Sequence, residues 1–442
     1  MMASIIGKIF LKEYNKRKNT MYSAKDFFVK EFYPLFLDHP KYMQWVTNSP
    51  FVQGIRKGRP PTPQERNEKL KRLIEKLTVG PPDASVAIGY PSMDEMATTS
   101  GQLTDLNLRL NEDDYYASWI GAGLGVGVQG GYSIYFDNPE ILWRIHEGWT
   151  DYRNRLNQID QLRGNQIESW NGQWLAYTYR GDSLEGELFD PLEKVQSGQY
   201  RGMIEVPTVK WTEIFIGLAR TYPKQILNGY VFSLGQTNVT VGFILFNLPE
   251  IQKPIQFYIE LFGKSDYLRN ARLIRSLYGT AFGFVQACQM GVIGVRAMQP
   301  KDLRPYMIVQ RGKSKIPDYS KEDTRTRISF KTYQTWLLAM LDNKQLWDKA
   351  GEAAESLIQY RLDQKRVRTD RDNDVKKVLE VTQQKSFIDA LTVLVEKEDK
   401  NSTLVELGKI VHDMPKDNVP YFLTLIRFRY AEKLSQMKTS SK

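Results

Sequence analysis

The sequence predicts an α+β fold. A mixed α/β body with β-hairpins is expected over residues 1–310, a linker at 311–327, and an α-helical bundle over 328–442. Three observations lead there. Glycine-punctuated, β-rich stretches alternate with segments of helical spacing through the first two thirds of the chain. A polar, proline-interrupted run, RGKSKIPDYSKEDTRTR, covers Arg311 to Arg327. Beyond it proline and glycine become rare, and apolar residues recur at helical spacing to Leu434.

A chain of 442 residues is long enough for two or three lobes, and 41% hydrophobic with 25% charged residues is an ordinary globular composition. No apolar run reaches the length of a membrane span. The opening MMASIIGKIFLKEYNKRKN lacks a long apolar region and a small-residue cleavage site, so a cytoplasmic protein with no membrane partner is expected. The single cysteine, Cys288, excludes an internal disulfide framework and, within AFGFVQACQMG, reads as a buried inert thiol. His39, His146 and His412 are too far apart for zinc spacing. The net charge of +10 and pI near 9.2 favour a phosphate-backbone partner. Solubility and contact with an acidic protein are the competing readings of that charge.

In chain order, Tyr22 to Val46 has helical spacing, with Phe27, Phe28, Phe32, Phe36, Leu37 and Trp45 on an apolar side interrupted at Pro34. Arg56, Lys57 and Arg59 follow among Gly54, Gly58, Pro60, Pro61 and Pro63, a loop whose side chains can reach a phosphate. An exposed charged loop without function has the same composition. Arg66 to Leu77 resumes as a basic amphipathic helix, and Gly80 to Thr104 is turn-rich.

Trp119 to Asn157 is the stretch around which the body is organised. Glycines at 121, 123, 125, 127, 130 and 131 predict a glycine-softened strand or hairpin, followed by a short strand from Tyr132 to Phe136. Asp137 and Asn138 precede Pro139 and Glu140, which is how a helix starts, and Leu142, Ile145, Trp149 and Tyr152 make its apolar face. Gly125, Gly127 and Gly130 match G-x-G-x-x-G, but they lead into a strand where a dinucleotide fingerprint needs a helix. Asn171-Gly172 between Trp170 and Trp174 reads as β structure with tight turns, and Thr208 to Leu227 as a helix. A hairpin follows, with arms Tyr230 to Leu234 and Val239 to Phe246 around Gly235, Gln236, Thr237 and Asn238. Its amides and hydroxyl are chemistry that can reach a base edge, and the same residues are good turn formers. Ile255 to Leu261 suggests a strand, and Asp266 to Gln289 a helix with Arg269, Arg272 and Arg275 on its early turns.

The bundle is expected to hold about four or five helices by ordinary bundle spacing, with breaks at Lys400-Asn401-Ser402 and Met414 to Asn418. Arg361 to Lys377 mixes both signs. It reads either as a solvated face or as a groove in which Lys365, Arg366, Arg368 and Arg371 meet nucleic acid.

Enzymatic chemistry is not evident. A restriction-type metal core needs an acidic residue followed by E-x-K, which neither Pro82-Asp83 nor Pro317-Asp318 has, and Glu398-Asp399-Lys400 ends a helix-like stretch. There is no G-x-S-x-G and no phosphate loop ending in Gly-Lys-Ser/Thr. The expectation is a non-enzyme without a cofactor.

With these residues in hand, the chain resembles the large subunit of type I CRISPR Cascade complexes, nearest to type I-B-like cyanobacterial systems, including those of CRISPR-associated transposons. The resemblance rests on GLGVGVQGGYSIYFDNPEILWRIHEGWTDYRNRL, on SLGQTNVTVGF, and on the order of a mixed body and a C-terminal bundle. It implies a non-catalytic subunit that reads the target-flanking motif in duplex DNA and supports R-loop formation, while guide RNA reads the target. The implied partners are guide RNA, target double-stranded DNA, the backbone, handle-binding and small Cascade subunits, and a helicase-nuclease or transposition adaptor. Gln236 and Asn238 would read the minor groove or wedge the strands apart; Arg56, Lys57, Arg59, Lys313 and Lys315 would hold phosphates; Lys365, Arg366 and Arg368 would line the displaced-strand path. In some relatives an internal start yields the bundle as a separate small subunit, a role Met307 or Met340 would serve here. A sequence-specific nuclease with an unrecognised metal site and a structural nucleoprotein subunit are the alternatives.

Overall fold

The computed structural model describes residues 2–44, 49–51, 59–79, 87–90, 110–181, 189–192, 202–308, 315–320, 323–363, 367–397 and 402–440. The fold is α+β. Its strands are β1 Val126–Val128, β2 Tyr132–Phe136, β3 Ile226–Ser233, β4 Gln236–Asn247, β5 Tyr278–Thr280, β6 Val292–Ile293 and β7 Met298–Pro300. The chain divides into two compact units, one of Met1–Leu248 with Gly283–Ile293, the other of Pro249–Phe282 with Gly294–Lys442. The division thus falls at Leu248, ahead of the expected linker at 311–327, because residues 249–282 and 294–300, with β5 and β7, group with the C-terminal helices while Gly283–Ile293 returns to the first unit.

The first unit is built on a sheet of order β1-β2-β3-β4-β6, antiparallel except between β4 and β6. Ile134, Phe136, Val231, Ile244, Phe246 and Ile293 are buried on one face. Phe215, from the helix Trp211–Thr221, stacks on Phe246 with centroids 4.0 Å apart. The helix start read at Pro139 is present: Asn138 Oδ1 accepts from the N–H groups of Glu140 (3.0 Å) and Ile141 (3.2 Å). The helix breaks at Gly148 into Pro139–Glu147 and Trp149–Gln158. A Cβ there would stand 2.6 Å from the Trp174 ring, and Trp170 Nε1 donates to the Gly148 carbonyl at 2.8 Å.

Backbone contacts decide how the other helices seat. A Cβ on Gly121 would lie 1.8 Å from the carbonyl oxygen of Ala3, and one on Gly7 2.0 Å from that of Ala117. The helices Met2–Lys18 and Glu112–Ala122 therefore cross at backbone contact. The residues from Trp119 to Ala122, expected in a strand, close that second helix. In the N-terminal aromatic core, Phe27–Phe36 forms a helical run with a π turn at Phe28–Phe32. That turn stands where Pro34 lacks an N–H and its ring crowds the Lys30 carbonyl.

Three expectations are corrected. Asn171-Gly172 lies inside the helix Ile167–Tyr179. Asn171 Nδ2 donates to the carbonyls of Gly123 and Gly125, both at 2.8 Å, and a Cβ on Gly172 would stand 2.2 Å from the Gly127 carbonyl oxygen. The pair serves close packing on β1 and makes no turn. Ile255 to Leu261 belongs to the helix Leu248–Phe262, which buries Ile251, Ile255 and Tyr258 at helical spacing and tolerates Pro254 within it. The helix expected over Asp266 to Gln289 is two, Lys264–Leu277 and Phe284–Gln289, with β5 between them.

In the second unit β5 and β7 pair antiparallel. Among the described residues six helices follow: Thr324–Leu341, Gln345–Leu362, Arg368–Glu380, Gln384–Lys397, Ser402–Asp413 and Val419–Ser440. The last is central, burying Phe422, Leu425, Ile426 and Phe428. The break at Met414 to Asn418 is present, and the other break falls largely outside the described residues. No helix among the described residues is long and apolar enough to cross a membrane.

Gly121→Ala should destabilise the chain by about 1–3 kcal/mol or more, because the added methyl meets backbone that cannot rotate away. Gly283→Ala, with nothing within 4 Å, should change stability by less than about 1 kcal/mol. Thermal or denaturant unfolding of the two variants compares them.

Candidate nucleic-acid interface

The excess positive charge is not spread over the molecule. The first unit holds 27 of the 61 Lys and Arg and 27 of the 51 Asp and Glu, so it is neutral. The second holds the remaining 34 and 24, and with them the whole net charge of +10. Within it, residues 264–282 and 294–331 carry 14 basic against 5 acidic side chains.

Folding brings Lys315, Phe330 and Tyr333 of this segment to Tyr306. Tyr306 is buried against Phe330, Tyr333 and Phe428, with centroids 5.2–6.1 Å away. Lys315 Nζ stands 4.9 Å over the Tyr306 ring, and its backbone N–H donates to the Pro305 carbonyl at 3.4 Å. Tyr333 donates its hydroxyl to the Lys301 carbonyl at 2.7 Å. Arg427, from the C-terminal helix, is 1% exposed and donates to the Tyr306 carbonyl at 2.7 Å. Burial lowers its pKa to about 10, so it stays charged at neutral pH and adds to the local positive potential. Lys301, Arg304 and Lys315 are exposed on this pinned segment. The helix Lys264–Leu277 buries Tyr267, Ala271 and Ile274 and turns Lys264, Arg269 and Arg272 to solvent, while Arg275 is buried. Such an arrangement can hold phosphates at several points without reading sequence.

The sequence-nominated residues are placed unevenly. Lys315 belongs to this basic segment. Arg59 is exposed but ion-paired with Glu65 at 2.9 Å, at the start of the helix Pro63–Val79. Arg368 is exposed as the first residue of the helix Arg368–Glu380. Arg371 is buried, its guanidinium donating to the Arg361 carbonyl at 2.7 Å, so it does not line a groove. Arg56, Lys57, Lys313, Lys365 and Arg366 lie outside the described residues, as do Pro82-Asp83, Glu398-Asp399-Lys400 and the side chain of Asn238. Lys264, Arg269, Arg272, Lys301 and Arg304 were not nominated, although counting charge by segment finds them.

The hairpin differs from the expected one in its turn. Ser233 pairs with Gln236, so Leu234 and Gly235 make the turn and Gln236 is the exposed first residue of β4. Gly235 has φ +74°. Register shifts on either side of Phe232 leave extra residues on β4, a bulged end of the kind that re-aims side chains. Neither β3 nor β4 carries a charged residue.

Burial lowers the pKa of His146 to about 4, between Phe10, Tyr14 and Trp149, and raises that of Cys288 to about 12, so that the thiol is inert. His412 Nδ1 lies 3.0 Å from Asp413 Oδ1 in an exposed adjacent pair. No group of three or more His, Cys, Asp or Glu among the described residues can hold a metal ion. An apolar groove of about 360 Å³ runs between the helices Gln384–Lys397 and Ser402–Asp413, lined by Leu391, Val395, Leu404 and Val405. The chain matches no protein-family model, no curated protein and no solved structure.

Replacing Lys301, Arg304 and Lys315 together with glutamine should weaken binding to all nucleic-acid sequences alike. It should also reduce the slope of log K against log salt by about 2–3. Fluorescence anisotropy over a salt series measures both.

Proposed function

We propose that the chain is a non-catalytic nucleic-acid-binding subunit of an RNA-guided CRISPR surveillance complex, recognising the target-flanking motif in duplex DNA and supporting R-loop formation. The observation that carries this reading is the segregation of charge. One neutral unit presents an uncharged hairpin with an exposed amide at Gln236, and another holds all the surplus positive charge, most of it within residues 264–282 and 294–331. Phosphate contacts position a protein on nucleic acid and polar side chains discriminate bases, so the two features supply the two parts of such recognition. Guide RNA, target DNA and the backbone, handle-binding and small subunits are the partners this role requires, with a helicase-nuclease or transposition adaptor acting afterwards. The groove between Gln384–Lys397 and Ser402–Asp413 offers apolar surface of the kind a helical small subunit would cover. A cytoplasmic location belongs to the same proposal.

The tagged chain purified from its native host should bring down short RNAs of uniform length with a repeat-derived end, identified by sequencing. A chain that comes down alone and free of RNA would overturn the proposal, and magnesium-dependent cleavage by that chain would establish a nuclease instead. In a reconstituted complex, changing Gln236 and Asn238 to alanine should weaken motif-dependent binding; an unchanged preference would remove the hairpin from the reading site. An internal start at Met307 leaves all six C-terminal helices intact, whereas a start at Met340 removes nearly all of Thr324–Leu341. Intact-mass measurement of the complex should therefore find any short product beginning at Met307.

A further inference from the structure

We propose that the face of the sheet around Tyr230 and Phe243 is a stacking site for the unpaired bases of single-stranded nucleic acid. Tyr135, Tyr230 and Phe243 stand opposite one another across β2, β3 and β4. Side chains alternate between the faces of a strand, so all three point away from the face that buries Val231, Ile244 and Phe246. Exposure rises along the row: Tyr135 is 2% exposed, Tyr230 is half-buried and Phe243 is 60% exposed. The Tyr230 and Phe243 rings meet with centroids 5.1 Å apart at an interplanar angle of 65°, so each braces the other. Leu245 and Val292, paired on β4 and β6, and Ile226 on β3 extend the exposed apolar surface. The face is thus covered at β2 and bare toward β4. Contiguous exposed apolar surface of this kind marks a binding site.

The chemistry of the patch and the charge of the chain together specify the ligand. The net charge of +10 draws phosphate backbones to this chain. β3 and β4 carry no charged residue, so this face holds no phosphate itself. What it offers is the π-face of Phe243, bordered by the amide of Asn228 and the exposed hydroxyl of Thr240. Every base has a π-face and hydrogen-bonding edges, so rings with uncharged polar neighbours suit bases. The bases must be unpaired, because in a duplex each is already stacked on its neighbours, and a sheet of several strands is too broad for a groove. A protein partner would meet the same apolar side chains, and the test separates the two. The inference rests on the nucleic-acid-binding part of the proposed function and requires neither a guide RNA nor a target-flanking motif.

The test is fluorescence anisotropy of the full chain with a labelled oligothymidylate and with an abasic strand of the same length. Phe243→Ala should weaken binding of the oligothymidylate by about 5- to 150-fold for one stacked base, and leave the abasic strand and the salt slope unchanged. Phe243→Trp should keep or tighten it. Phe243 is exposed, so neither change disturbs the core. Irradiating the unaltered chain with a strand that carries iodouracil should crosslink Tyr230 or Phe243, located by peptide mass mapping. Crosslinks confined to other segments, or equal losses for both strands in Phe243→Ala, would overturn the proposal. So would a mass that rises with concentration above 51.3 kDa in the unaltered chain but not in Phe243→Ala, which assigns the face to a second copy. If Phe243→Ala binds both strands as the unaltered chain does, the stacking site fails and the nucleic-acid reading stands. If the unaltered chain binds neither strand, both fail. Loss on the oligothymidylate alone, in a chain that carries no guide RNA in its host, leaves the stacking site standing and removes the surveillance complex.

Discussion

The first unit depends on backbone meeting backbone. Two helices touch through Gly7 and Gly121, and a third lies on β1 through Gly172, each at distances that exclude a Cβ. Close approach does more than save space. It brings the side-chain amide of Asn171 within reach of two carbonyls at the glycine-rich crossing and leaves room beside Gly125 for the Glu168 carboxyl group and the Ser133 hydroxyl. A methyl group at these crossings would push the helices off the sheet, because interiors are packed too densely to absorb it. The glycines therefore set where the polar atoms at this crossing can be.

The second unit is held differently. Its residues Lys301 to Ile308 and Lys315 are held by polar contacts, chief among them that of Arg427 with the Tyr306 carbonyl. A buried guanidinium without an acidic partner is tolerable when carbonyl dipoles satisfy its donors. The result is a basic segment with a defined course. Ordered in this way, its exposed Lys301, Arg304 and Lys315 lose less freedom on meeting phosphates than they would on a free loop.

Much of the fold was legible locally. Asn138-Pro139 marked a helix start because a cap and a missing N–H act within four residues, and Tyr132 to Phe136 is a short run of β-favouring residues behind two glycines. The apolar stripes of the C-terminal helices were plain for the same reason. Asn171-Gly172 misled because its residue types suit both a turn and a close helix packing, and only the partner carbonyls on β1 separate the two. Ile255 to Leu261 misled because a short apolar run has no period of its own, and the burial of Ile251 four residues earlier settles it. Of the candidate site, the hairpin and Lys315 were found from residue types. The basic patch on Lys264–Leu277 was read as part of a helix and given no role, since exposure is not written in a single residue.

By itself the sequence determined the α+β class, the positions of most helices and strands, the inertness expected of Cys288 and the sign of the net charge. Each of these follows from interactions within a few residues or from composition. The tertiary structure alone decided that the units divide at Leu248, that the charge surplus belongs entirely to one of them, and that Arg371 is buried while Arg368 is exposed. These depend on which distant backbones approach one another, and burial and electrostatics are properties of that approach.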